Sequence, residues 1–182
     1  GAGSTLSLAD TAWTAASSTT VTVDTTDKKE GTGSANLLVL TAHTTGLAVY
    51  KNLSAAANLT DLNKVSFWIR TNVSTTVGQI ELVLDENTNC SSPEAHIDVP
   101  ALTVGIWKYV TAEITQNNTS TLVTNANKDA VACVGIEIET DLSTSQNETI
   151  NVDEVRASAT AVTLDTTDKK EGTASADVTI AA

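Results

Sequence analysis

The stretch Val131-Ala-Cys-Val-Gly-Ile-Glu-Ile-Glu139 puts Val134, Ile136 and Ile138 on one side of an extended chain and Cys133, Glu137 and Glu139 on the other. Successive side chains of a strand point to opposite faces, so this is a strand with one buried face and one polar face. The same alternation sets Val65, Phe67 and Ile69 against Ser66, Trp68 and Arg70, and Ile80, Leu82 and Leu84 against Glu81, Val83 and Asp85. Further short runs of this kind begin at Val21, Asn36, Leu47, Tyr109 and Thr149, separated by Gly, Asn, Asp and Ser. Eight such runs predict an all-β chain, an antiparallel jelly-roll β-sandwich. Threonine, the commonest residue at 32 positions, favours the same outcome, because β-branched side chains are stiff at χ1 and suit a pleated surface. Only Ser54–Leu62 is open to a helical turn, and its Asn and Asp make a loop an equal expectation.

Composition narrows the function. The 182 residues are 41% hydrophobic, enough for one core, and no apolar run approaches the roughly 20 residues of a membrane span. Ten Lys plus Arg against 22 Asp plus Glu give a net charge of −12, which repels phosphate backbones, so nucleic acid is not an expected partner. Methionine is absent, which predicts a processed chain from which a secretory leader has been removed. With two His and two Cys, and no nucleophile elbow, phosphate loop or H-E-x-x-H, the chain is expected not to be an enzyme. Glu137 and Glu139 share a strand face, as paired glycosidase carboxylates do, but nothing in the sequence supplies a pocket around them.

The chain also repeats itself. VTVDTTDKKEGTGSANL from Val21 returns as VTLDTTDKKEGTASADV from Val162, with 13 of 17 positions identical at an offset of 141. The expected organisation is a sandwich over residues 1–158 and a strand-forming tail over 159–182 that duplicates residues 21–40. The tail is either the start of a second copy or a donor element whose apolar positions are Val162, Leu164, Val178 and Ile180. An unpaired edge recruits a partner, so the tail is expected to fold back on its own sandwich or to add a strand to a neighbouring copy. Head-to-tail addition does not close and propagates as a filament.

Four stretches, taken in order, resemble a known family: DTTDKKEGTGSANL (24–37), VSFWIRTN (65–72), GIWKYVTAEI (105–114) and ETINVDEVRA (148–157). Together they resemble the galactose-binding-like jelly rolls over about residues 18–157. That group includes non-catalytic carbohydrate-binding modules attached to glycosidases and related modules of secreted surface and phage proteins. The resemblance implies a structural calcium where the turn after an early strand meets a carboxylate of the last strand. Carried over, the turn is Asp27-Lys28-Lys29-Glu30-Gly31 and the late carboxylate Asp153, with Asp27, Lys28, Glu30 and Asp153 as the metal site. The alternative is a solvated turn in which Lys28 or Lys29 pairs with the acids. The duplicate turn from Asp168 to Gly172 could hold a second ion on the same terms. A sugar platform is conceivable from Trp68, Trp107 and Tyr109 beside Glu81, Glu113, Glu137 and Glu139, unless Trp107 only covers the end of the sandwich.

Cys90 and Cys133 form an even pair in a chain with extracellular features and are expected to bond, closing a loop of about 43 residues; free thiols, or a metal pair with His96, are the alternatives. Glycosylation sequons occur at Asn52, Asn58, Asn72, Asn89, Asn117, Asn118 and Asn147. The resulting expectation is a non-enzymatic extracellular structural subunit, supported by calcium, that polymerises with itself by strand sharing into a filament, sheath or surface layer. Two alternatives stand beside it: a carbohydrate-binding module with a polysaccharide partner, and a phage virion surface or decoration protein.

Overall fold

A computed structural model describes residues 3–114, 124, 127–142, 146–159, 162–165 and 175–178. Among them, eleven strands form two antiparallel sheets. The six-stranded sheet holds β1 (Gly3–Ser7), β3 (Thr19–Asp24), β4 (Ser34–Val39), β6 (Lys64–Thr71), β9 (Lys108–Glu113) and β11 (Glu148–Ser158), with β3-β4-β11-β6-β9 in order and β1 also on β11. The five-stranded sheet runs β2 (Thr14–Ala15), β5 (Gly46–Ala57), β10 (Val131–Ile138), β7 (Ile80–Asp85) and β8 (Ala95–Asp98). The architecture is the jelly-roll β-sandwich that the alternating runs predict.

The core lies between the sheets and takes one side of each strand. Phe67, Ile69, Val110, Ile150 and Val152 come from one sheet and Val49, Ile80, Leu82, Leu84, Val134, Ile136 and Ile138 from the other, all buried. Apolar burial on this scale is the main driving force for the fold.

Two local departures from alternation matter. β5 continues as strand through Ser54-Ala-Ala-Ala57, correcting the expected loop or helical turn, because pairing with β10 reaches Ala57 opposite Val131. In β11 the register against β6 jumps between Asp153 and Arg156, with Glu154 at φ 50°. That is a β-bulge, one extra residue that re-aims the side chains around it. Before it Ile150 and Val152 enter the core; after it Val155 and Ala157 do. Asp153 and Val155, two residues apart and so on one side by strict alternation, therefore lie on opposite sides, and Asp153 and Glu154 become neighbours away from the core.

In the tail, β12 (Val162–Asp165) and β13 (Ser175–Val178) pair with each other as a separate two-stranded sheet. Their register is that of the first copy: Val162 faces Val178 as Val21 faces Leu37, and Asp165 faces Ser175 as Asp24 faces Ser34. The described strands of the duplicated sequence thus pair in the same register twice. Ile180 and the turn from Asp168 to Gly172 lie outside the described residues.

Candidate functional site

The turn between β3 and β4 folds over the outer face of the six-stranded sheet and meets the β11 bulge. Asp24 starts it, its Oδ1 accepting the amides of Thr26 and Asp27 at 2.8 and 3.0 Å. Gly31 then adopts φ 59°, and a Cβ there would stand 2.5 Å from the Asp10 carboxylate, so glycine is required on both counts. Asp10 Oδ1 accepts the amides of Thr32 and Gly33 at 2.5 and 2.9 Å. Partial burial works against its ionisation, but these amide bonds prevail and hold Asp10 below the ordinary carboxylate range.

Asp153 is fully buried beneath this turn. Its Oδ2 accepts the amides of Lys29 and Glu30 at 2.7 and 2.9 Å, while Oδ1 is buried without a hydrogen-bond partner. Burial, with Asp10 nearby, pushes Asp153 above its ordinary range despite the amide bonds. Burial also raises Glu154, against the lowering effect of Arg156, and Glu30 and Asp153 add to the rise. Four carboxylates are thus linked electrostatically: Asp10 acts on Asp153, and Asp153 and Glu30 act on Glu154. An all-oxygen donor set with an uncompensated buried carboxylate is the chemistry that a hard cation such as calcium satisfies.

The expected metal residues divide. Asp153 and Glu30 belong to this group. Asp27 is engaged elsewhere: Arg70 pairs with its Oδ2, and the Trp107 indole donates to its Oδ1 at 2.7 Å. The Lys28 ammonium donates to the Thr25 carbonyl. Asp10 and Glu154 were not legible, the first because it lies outside the turn in sequence, the second because strict alternation puts it on the far side.

Beside the turn, β6 and β9 place Trp68 and Tyr109 directly opposite each other, ring centroids 4.9 Å apart and planes tilted by 51°. Tyr109 is 43% exposed, and the Lys29 ammonium stands 5.1 Å from the Trp68 ring centroid. Two residues along β6, Arg70 faces a polar pocket of about 150 Å³ lined by Asp24, Asp27, Asn36, Asn72 and Asn151. Trp107 joins the group through Asp27. The expected flanking acids do not: Glu81 and Glu137 lie on β7 and β10, in the other sheet, and only Glu113 shares the aromatic sheet.

Cys90 and Cys133 form a disulfide on the outer side of the five-stranded sheet, packed with Val83, Leu47 and Tyr50. Several sequon side chains are tied into the fold. The Asn52 amide donates to Asn89 at 2.9 Å, Asn58 accepts the Thr60 amide, Asn72 accepts that of Thr149, and Asn147 accepts that of Thr41. Asn117 and Asn118 lie outside the described residues.

The fold is a β-sandwich of the kind carbohydrate-binding modules have, as the sequence resemblance implies. No family model and no curated protein matches the chain. Among solved structures, it is similar to a family 11 carbohydrate-binding module from Clostridium thermocellum in complex with a β-1,3-1,4-mixed-linked tetrasaccharide. That match has a TM-score of 0.54 and 11% identity, over 86% of this chain and 95% of that one. An exo-β-agarase matches with a TM-score of 0.55 and 12% identity over 87% of this chain, but only 25% of the agarase chain. A third match, to a carbohydrate-binding module of promiscuous specificity from the β-sandwich superfamily, has a TM-score of 0.53 and 15% identity over 82% of this chain and 57% of that one. At these identities the likeness is one of fold.

Proposed function

We propose that the protein is a non-catalytic carbohydrate-binding module working outside the cell, with Trp68, Tyr109 and Trp107 as its sugar platform and a structural calcium under the β3–β4 turn. The carrying observation is the Trp68–Tyr109 ring pair beside the polar pocket at Arg70. A pyranose has an apolar C–H face and a rim of hydroxyls, so it needs an aromatic surface and convergent polar groups side by side. The fold shared with a module holding a mixed-linked tetrasaccharide supports the same reading. The disulfide fits an oxidising, extracellular setting.

The calcium part rests on Asp153 Oδ1, with Asp10, Glu30 and Glu154 as further donors. Residues 159–182 are read as the opening hairpin of a second copy, because β12 and β13 repeat the β3–β4 register. Strand sharing into a filament has weaker support, since each tail strand takes the other as partner.

The test is affinity electrophoresis through gels holding mixed-linkage β-glucan or agarose. Wild-type protein is expected to be retarded by at least one, and Tyr109→Ala, at an exposed position, to weaken retention by about tenfold. Equal migration of wild type with and without every polysaccharide overturns the reading, as does full retention of Tyr109→Ala.

A further inference from the structure

The other sheet carries a second group of chemistry-bearing side chains, unused by the sugar platform. In the register of β10, β7 and β8, Glu137, Glu81 and Asp98 lie directly opposite one another on three neighbouring strands. Like charges across a ladder repel, and here they are partly withdrawn from water: the Glu81 side chain is 5% exposed and that of Glu137 19%. Burial pushes both Glu137 and Asp98 above their ordinary ranges. Among the described residues no lysine or arginine pairs with any of the three.

The compensating group is His96, opposite Val83 in the adjacent row. Its Nδ1 stands 2.8 Å from Glu81 Oε2 and 3.7 Å from Glu137 Oε2. A proton on that nitrogen serves one carboxylate at hydrogen-bond distance and leaves the other outside it. One ligand atom from each of Glu81, His96 and Glu137 can be chosen so that all lie within 4.8 Å of one another. Donors bound to one zinc ion, at about 2.0–2.2 Å each, stand roughly 3.3 Å apart, so only a modest side-chain closure separates this arrangement from a coordination shell.

We propose that Glu81, His96 and Glu137 bind a divalent transition ion of the zinc class on the outer side of the five-stranded sheet. One imidazole and two carboxylates suit zinc, whereas all-oxygen donors at Asp153 suit calcium, so the groups on the two sheets differ in the metal their chemistry fits. The competing soft and borderline donors lie elsewhere: both cysteines are in the disulfide, and His43 sets Nδ1 2.9 Å from the Ser17 carbonyl and Nε2 3.3 Å from that of Gly46, so that its N–H donates to one of them. Three protein ligands leave a fourth tetrahedral position for water or for Asp98.

The experiment is isothermal titration of tag-free protein with zinc chloride in saturating calcium. One equivalent is expected to bind, with His96→Gln and Glu137→Gln each weakening it by about tenfold or more and His43→Gln leaving it unchanged. Cobalt(II) in place of zinc is expected to give the intense visible absorption of a tetrahedral site, lost in His96→Gln. The two variants are to be compared with wild type by thermal melting and far-ultraviolet circular dichroism, in which a merely misfolded protein would lose the cooperative transition and the β-sheet spectrum. Absence of saturable zinc binding to wild type overturns the proposal, as does unchanged binding by a folded His96→Gln protein.

Discussion

Asp153 accepts the backbone amide of Lys29 at 2.7 Å, a contact between residues 124 positions apart that ties the last sandwich strand to the first long turn. The bond satisfies Oδ2 and leaves Oδ1 buried and unpaired, with the charge of Asp10 opposing that of Asp153, and Asp153 in turn opposing Glu154. A bound cation would remove that penalty, and its binding energy would appear as folding stability. At a calcium concentration about 100 times the dissociation constant the gain is about 2.7 kcal/mol, or roughly 5–10 °C in melting temperature for a domain of this size. Calorimetry with calcium and then with excess EGTA should show that difference in wild type and lose it in Asp153→Ala. Equal melting temperatures in wild type with and without the chelator would reject a calcium site.

The disulfide makes a separate prediction. Cys133 is fully buried and Cys90 nearly so, and together they close a 43-residue loop that carries β8 and β9. Constraint of the unfolded chain is worth about 4 kcal/mol for such a loop. The Cys90→Ala, Cys133→Ala double variant should melt roughly 8–15 °C lower than wild type under non-reducing conditions. Because Val83, Leu47 and Tyr50 pack on the bridge, the loss should be accompanied by increased hydrogen exchange along β7 and β10. A melting temperature within a degree or so of wild type would show that the loop is held by its other contacts.

These sites differ in how far the sequence revealed them. Both faces of β6 and β7 could be read from Val65–Arg70 and Gln79–Leu84, because a strand's period of two converts directly into side-chain direction. The bulge also left a trace, since Val152 and Val155 are three apart where alternation puts core residues two apart. Strand neighbours left none. Trp68 meets Tyr109 because β6 pairs with β9, and Glu81 meets Glu137 because β7 pairs with β10, so aromatics and acids that look combinable in sequence fall in different sheets. Asp10 was hidden for a similar reason: its role is created by the approach of Gly31, not by any neighbour in the chain.

Glu148, near the start of β11, predicts a pH effect away from either proposed metal site. It is 4% exposed, its Oε1 has no hydrogen-bond partner, and burial, reinforced by Asp141, raises its carboxyl above the ordinary range. The folded protein therefore holds this proton more tightly than the unfolded chain, so the contribution favours folding at low pH and is lost as pH rises through the raised value. Glu148→Gln removes that term. Between about pH 4 and pH 7 the variant should gain on wild type by roughly 2 °C or more in melting temperature. A constant difference across that range would mean the side chain is solvated in the folded state.

The duplicated tail gives the last prediction. β12 and β13 form the hairpin that β3 and β4 form, in the same register, but in the first copy β4 also pairs with β11 from Glu148 to Val152, whereas among the described residues the tail strands pair only with each other. A hairpin whose described strands pair only with each other is marginal in water, so it should add little to the stability of the sandwich. Deleting residues 159–182 should leave the main melting transition within about 2 °C of wild type, an amount under 1 kcal/mol. Sedimentation velocity should find both proteins monomeric at micromolar concentration if the tail is the opening of a second copy. Particles formed by the full chain and dissolved by the deletion would instead establish strand sharing, with the unpaired edge of β13 as the surface that recruits the neighbour.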